Sequence, residues 1–480
     1  MTQHANHTVE KIGGTSMSRL DELVDTLFRR DDEARIYDRI FVVSAFGGIT
    51  DLLLEHKKTG DAGVYACFAN DEDDHGWMDA LSKVADGMRE AHRSVLDHAA
   101  DLSDADDFVR DRIDGVRNCL IDLQRLCSYG HFRLSQHMML TRELLSGLGE
   151  AHSAYVATLA LRRVGINARF VDLSGWRDER EMTLDERIRD GLDDVDVSEE
   201  LPIVTGYAQC AEGLMAEFDR GYSEVTFSRI AALTHAREAI IHKEFHLSSA
   251  DPKLVKGEVH KLGHTNYDVA DQLSNMGMEA IHPKAAKTLR QADVALRVTN
   301  AFEPHDPGTL IDDQPAETPA AEIVTGLDVH ALELFEQDMV GVKGYDARIL
   351  ELLTRHGIRI VSKTSNANTI THYVDAPLRE LRKVEADLNK VYPSAELTIQ
   401  PLAIAAVIGR DLKGLNVLGS GLKALAEADV EVLAAQQNTR SVDVQFVIPR
   451  ESLAASIGAL HGALLPATDV AELKPKKKAA

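Results

Sequence analysis

The stretch that most limits what this chain can fold into is TVEKIGGTSMS, residues 8–18. A short apolar approach, Val9 and Ile12, runs into Gly13-Gly14 and then two hydroxyls, Thr15 and Ser16. In the next stretch Leu20, Leu23, Val24, Leu27 and Phe28 fall on one helical face. The spacing predicts an amphipathic helix with Ser16 or Ser18 as its N-cap. Strand, glycine turn and helix N-terminus in that order present backbone N–H groups to an anion. Lys11 precedes the glycines, whereas the Walker pattern places its lysine after them. The segment is therefore a phosphate-cradling turn of another kind, or a plain strand-to-helix junction. IFVVS (40–44) is apolar throughout, as in a buried parallel strand, and ends in a second glycine turn, AFGGITD (45–51). Two such turns at one sheet edge imply one ligand crevice beyond the strand C-termini.

A chain of 480 residues has room for two to four domains. It contains no apolar run near the ~18 residues of a membrane helix, and MTQHANH lacks a basic–apolar signal pattern. Cys67, Cys119, Cys127 and Cys210 form no CxxC pair, which suits reduced thiols in the cytoplasm. The net charge of −24, from 77 acidic against 53 basic residues, argues against nucleic acid and anionic membranes as partners. It fits either an ordinary acidic enzyme or adaptation to a salty cytoplasm.

Residues 52–145 read as a helical layer whose scattered histidines lack a metal-ligand spacing. GLGE (147–150) leads into a small-residue helix stopped by Gly165. Strands at 166–172, 201–207, 238–245 and 295–300 alternate with helices starting near Ser223, 267 and His282-Pro283. This is an α/β domain with a mostly parallel sheet flanked by helices. Beyond the Pro-rich stretch 312–322 the order repeats: strand MVGVKG, helix, strand IRIVSKTS, strand TITHYV and helix, then a second such set from IAAVIG onward. The expected domains are 1–310, 325–400 and 401–470, with 471–480 a disordered basic tail.

KIGGTSM, VVSAFGGITDLL, GLGEAHSA, PIVTGY with FDRGYSE, SADPKLV, MGMEAIHPKA and VTNAFEPHDPGTLI occur in an order that resembles aspartate kinase. The two C-terminal α+β repeats resemble that family's tandem ACT domains, of βαββαβ type. KIGGTSMS and IIHKEFHLSSADP are similar to the subgroup associated with ectoine synthesis. The resemblance implies phosphoryl transfer from ATP, with Mg2+, to the side-chain carboxylate of L-aspartate. It places Lys11 and Glu224 in catalysis. It places Ser44, Thr50, Glu150, Arg220 and Ser223 around the amino acid, with Arg220 on the α-carboxylate and Glu150, read as lying at a helix start, on the ammonium. Lys11, Gly13, Gly14, Ser16, Gly47, Gly48, Gly221 and Lys253 would surround the nucleotide phosphates. No residue is assigned as a metal ligand, although Glu224 could help hold Mg2+ or orient Lys11. ACT sheets that pair edge to edge imply at least a homodimer, and lysine or threonine is a possible regulator.

Three departures stand out. Tyr222 replaces a family glycine, Glu224 replaces an aspartate, and HKEFHLSS (242–249) replaces the usual nucleotide-binding spelling, with Lys253 for arginine. Tyr222 and Glu224 suggest a turn that has retreated to fit a longer carboxylate. The competing readings are another amino-acid kinase, acting on glutamate or acetylglutamate, and a catalytically weak amino-acid sensor.

Overall fold

The computed structural model describes residues 5–29, 36–56, 59–70, 76–218, 221–255, 259–278 and 280–465. The chain divides into two compact units, Met1–His246 with Ile281–Asp313, and Leu247–Ala280 with Gln314–Ala480. Residues 247–280, expected in the first domain, thus belong to the second unit, and the 471–480 tail lies outside the described residues. No helix among the described residues is long and apolar enough to cross a membrane.

The first unit contains β1 (Thr8–Ile12), β2 (Arg39–Val43), β3 (Ala168–Val171), β4 (Leu201–Thr205) and β5 (Glu238–Lys243). A short β6 (His264–Asn266) lies in the second unit's inserted segment. The first unit then resumes with β7 (Ala295–Asn300) and β8 (Thr309–Asp312). Its strands lie in the order β3-β4-β2-β1-β5-β7-β8, all parallel except β8. Central strands of a parallel sheet are covered on both faces, which explains why IFVV is unbroken apolar sequence. Beneath β1, Glu10 accepts both arms of Arg39 (2.8 and 2.9 Å) and pairs with His242 Nε2 at 2.7 Å. Burial pushes the Glu10 carboxyl up, but Arg39 and His242 outweigh it and hold Glu10 well below the usual carboxylate range. Side chains alternate along a strand, so this ionic group lies on the face opposite Lys11.

The first helix starts at Gly14 with Gly13 as an N-cap that makes no side-chain bond. Neither Ser16 nor Ser18 caps it. The helix then runs through Leu20–Leu23 into a π turn at Val24–Phe28. The helical layer comprises Val64–Asn70, Gly76–Arg93 and Ala99–Cys127. Met138–Arg163 follows as one helix, so GLGE is helix interior and not its start. The glycines read as preceding the helix lie within it and serve packing. A Cβ on Gly149 would lie 2.8 Å from Ala45 Cβ, and one on Gly147 would lie 3.0 Å from the Tyr207 ring.

The second unit is built on β9 (Ile323–Phe335), β10 (Arg359–Ser365), β11 (Thr369–Asp375), β12 (Glu396–Ile408), β13 (Ala434–Gln437) and β14 (Asp443–Pro449). They form one antiparallel sheet, β10-β11-β9-β12-β14-β13. β9 and β12 pair along their full 13 residues, so both repeats share a single sheet. The expected strand MVGVKG is instead a 3-10 turn at Gln337–Met339 followed by a loop. Gly341 and Gly344 there have φ of 79° and 103°, which a strand does not accept. The first strand of that repeat is β9, upstream. Val269, Leu273 and Met276, from the inserted segment, are buried in one core with Ile323, Ile404 and Val447.

Candidate active site

The two glycine turns meet at the C-terminal ends of β1 and β2. A Cβ on Gly14 would stand 2.6 Å from the Ala45 carbonyl oxygen, so only glycine lets the turns touch. Ser18 Oγ donates to Gly14 O (3.2 Å) and accepts from Gly47 N–H (2.8 Å), tying one turn to the other. Gly48, at φ 84°, starts the helix Ile49–Leu53, and half-buried Thr50 sits in its first turn. Ser16 is fully buried and its hydroxyl donates to Glu244 at 2.6 Å. That hydroxyl therefore faces a carboxylate, and Ser16 can serve an anion only through its backbone.

Lys11 Nζ, at the end of β1, lies 3.4 Å from Glu224 Oε1, both side chains being nearly buried. Glu224 sits in the first turn of the helix Tyr222–Leu233. Its other oxygen accepts the His282 backbone N–H. Burial pushes the Glu224 carboxyl up, but Lys11, Lys243 and the His282 N–H outweigh it, leaving a lowered value and an anion at neutral pH. Gly221 caps this helix at φ 104°, and a Cβ there would lie 3.0 Å from the His282 ring. Tyr222 is an ordinary buried helical residue with its ring edge-on to Tyr207, centroids 5.7 Å apart. The left-handed residue of the turn is Gly221, and Tyr222 is already helical, so the tyrosine meets no backbone strain.

Next to this pair, Glu150 projects from the middle of its helix. Ser223 Oγ donates to Glu150 Oε1 at 2.5 Å, and Ser44 Oγ lies 3.3 Å from Ser223 Oγ. Ser153 donates to the Ser44 carbonyl at 2.8 Å, fixing that strand end. Glu150 is 2% exposed; among the described residues its Oε2 has no partner in good hydrogen-bond geometry, although the backbone N–H groups of Tyr207 and Ala45 approach the carboxylate. Burial pushes its carboxyl up to about 8, against the opposing pull of Ser223, of the Lys11 charge and of the nearby Tyr207 and Ala45 backbone. A Cβ on Gly206 would come within 2.9 Å of Glu150 Oε2, so the strand-end glycine of PIVTGY leaves that oxygen its space. Gly206 and His282 both lie in motifs quoted above, PIVTGY and MGMEAIHPKA, but nothing in the sequence assigned either of them to the site. Arg220 lies outside the described residues. Lys253 is exposed and belongs to the second unit.

The structure thus gathers Lys11, the two glycine turns, Ser44, Glu150, Ser223 and Glu224 at one sheet edge. It offers a cation beside a glycine-lined cradle and, alongside, a buried carboxylate with one uncompensated oxygen. Such a site neutralises a polyanion at one end and receives a cationic group at the other.

Comparison with known proteins shows the family. The amino acid kinase family profile matches residues 6–300. Aspartate kinase Ask_Ect of Stutzerimonas stutzeri (strain A1501) is 51% identical over 463 residues, covering 96% of this chain and 97% of that protein. Chloroplastic aspartokinase 1 of Arabidopsis thaliana is 23% identical, covering 97% of this chain and 81% of its own. Among solved structures, E. coli aspartokinase III in complex with lysine and aspartate superposes with a TM-score of 0.72 at 18% identity, covering 96% of this chain and 100% of that one. The chain belongs to the amino acid kinase family and, within it, to the aspartate kinases.

Proposed function

We propose that this enzyme transfers the γ-phosphoryl group of ATP to the side-chain carboxylate of L-aspartate, giving 4-phospho-L-aspartate. The observation that carries this is the Glu150 carboxyl, fully buried beside Ser223 with no cation among the described residues in hydrogen-bond contact with it. A buried carboxylate in that state is costly and is relieved by an incoming cation, here the substrate ammonium. Arg220 takes the α-carboxylate with its planar fork, and Ser44, Ser223 and Thr50 face the amino acid between the two clamps.

Phosphoryl transfer needs positioning and charge neutralisation more than covalent help. Lys11 supplies a point charge to the transferring group. Glu224, held ionised, keeps that ammonium in place. Gly13, Gly14, Gly48 and Gly221 let backbone approach the phosphates, whereas Gly47, whose N–H is taken by Ser18, contributes close approach alone. Mg2+ is bound in proteins through one or two carboxylates plus substrate phosphates. Glu224 is the carboxylate here that would sit with it, and the ion would neutralise phosphate oxygens when bound. Lys253 is assigned to the nucleotide on resemblance alone.

The same reading makes the C-terminal unit an ACT-like regulatory and dimerising module. It places the enzyme in the cytoplasm and dedicates it to ectoine supply, on the KIGGTSMS and IIHKEFHLSSADP spellings. Incubation with ATP, Mg2+, hydroxylamine and either aspartate, glutamate, acetylglutamate or succinate tests the assignment. Hydroxamate should form with aspartate and not with the others. Hydroxamate from glutamate or acetylglutamate, or none at all, overturns it.

A further inference from the structure

Two turns before Glu150, on the same face of the helix Met138–Arg163, stands a second nearly buried carboxylate, Glu143. Seven residues rotate a helix by almost two whole turns, so Glu143, Gly147 and Glu150 form one stripe. Glu143 Oε2 accepts the Tyr207 hydroxyl at 2.6 Å, and its Oε1 accepts the Met215 backbone N–H at 2.7 Å and that of Ala216 at 3.4 Å. The Tyr207 ring lies over Gly147, where a Cβ would come within 3.0 Å of it. Its main chain follows Gly206, the residue packed against Glu150 Oε2. On the other side Tyr207 meets Tyr222 edge-on, and the next residue, Ser223, donates to Glu150. Both neighbours of the Glu150 carboxylate are therefore set by where Tyr207 sits.

Resting on the substrate reading above, we propose that Glu143 is a positioning residue for aspartate binding. By anchoring the Tyr207 hydroxyl it fixes the Gly206–Tyr207 backbone and the helix start at Tyr222–Ser223 around Glu150. Glu143 touches no reacting atom, and its effect falls on the amino acid and not on the nucleotide. What it supplies is acceptor geometry. A glutamine can keep that geometry, its oxygen accepting the Met215 and Ala216 amides and its NH2 donating to the Tyr207 oxygen.

The test is steady-state kinetics on the full chain with Glu143→Ala, Glu143→Gln and Tyr207→Phe, varying each substrate at saturation of the other. Glu143→Ala should raise the aspartate KM at least tenfold while kcat stays within threefold and the ATP KM within twofold. Glu143→Gln should restore the aspartate KM to within threefold of the parent, and Tyr207→Phe should raise it at least threefold. An aspartate KM within twofold of the parent in Glu143→Ala overturns the proposal, as does an equal rise in both KM values, the mark of a merely structural role. Should Glu143→Ala fail to fold, an unmoved KM in Tyr207→Phe overturns it alone. If the parent phosphorylates a different amino acid, the substrate reading fails, and the same three variants judge Glu143 with the amino acid it does use.

Discussion

Replacing Glu150 by glutamine should weaken aspartate binding and, unusually for a substrate-site change, stabilise the free protein increasingly as pH rises. The carboxyl is raised from an ordinary 4.5 to about 8 in the folded chain. For a raised value, the stability conferred by the protonated form is fully present below the unfolded value and is lost as pH climbs to the folded one. Each unit is worth about 1.4 kcal/mol. The parent should therefore forfeit about 3 kcal/mol by pH 7 and about 5 kcal/mol above pH 8, relative to acid conditions. A glutamine does not titrate, so the variant-minus-parent difference should grow by about 1.4 kcal/mol per pH unit between pH 5.5 and 7.5. Any fixed effect of its NH2 group, about 1–3 kcal/mol if unpaired, moves the intercept and leaves the slope. The assay is built in. The two tryptophans of the chain, Trp77 and Trp176, both lie in the first unit, so their fluorescence during urea unfolding follows the unit that carries Glu150. Aspartate should narrow the difference by pairing its ammonium with the parent's carboxylate. A difference that is flat with pH, or that shrinks as pH rises, would falsify the picture of an uncompensated buried acid.

Lys11→Ala should lower kcat by ~10²–10³-fold with only a modest change in ATP binding, and turnover near the parent's would remove Lys11 from the mechanism. Glu224→Asp should also lower kcat, because an arm one methylene shorter cannot reach both Lys11 and the His282 N–H. Adding Tyr222→Gly should deepen the loss, since it removes a buried ring worth about 3–5 kcal/mol; recovery of activity in the double variant would contradict the helical placement of Tyr222. Gly14→Ala drives a methyl into the Ala45 carbonyl and should raise the ATP KM at least tenfold, an unchanged value meaning that the turns need not touch. Arg220→Ala should raise the aspartate KM strongly and succinate should be a poor substrate, so efficient succinate turnover would sink the ammonium clamp.

The parallel core and the glycine turns were legible because apolar runs and strand-end glycines report directly on burial and on close backbone approach. Gly147 and Gly149 misled for the same reason. A glycine that breaks a helix and one that thins it for Ala45 and Tyr207 are identical in the sequence. MVGVKG has the alternation of a strand, but Gly341 and Gly344 adopt left-handed backbone, which only the fold reveals. Ser16 and Ser18 looked like caps until long-range partners claimed their hydroxyls, Glu244 in one case and Gly47 in the other. His92 Nδ1 and His152 Nε2, sixty residues apart in the sequence, lie 3.2 Å from each other on two buried rings. Pairings of this kind have no local signature.

The passage of residues 247–280 out of the first unit and into the second bears on how a ribosome can deliver this protein. β5 and β7 are neighbours in the first sheet, but the chain between them includes Val269, Leu273 and Met276, whose core partners begin at Ile323 and extend to Val447. When β7 emerges, that segment is already made, and the core it joins is not complete until Val447, 147 residues beyond Asn300, has followed. The nascent chain must keep this greasy loop in water, or in a chaperone's hands, while its catalytic sheet is otherwise ready to close. A stop codon placed after residue 313 would make that waiting state permanent, leaving residues 247–280 without the rest of their core.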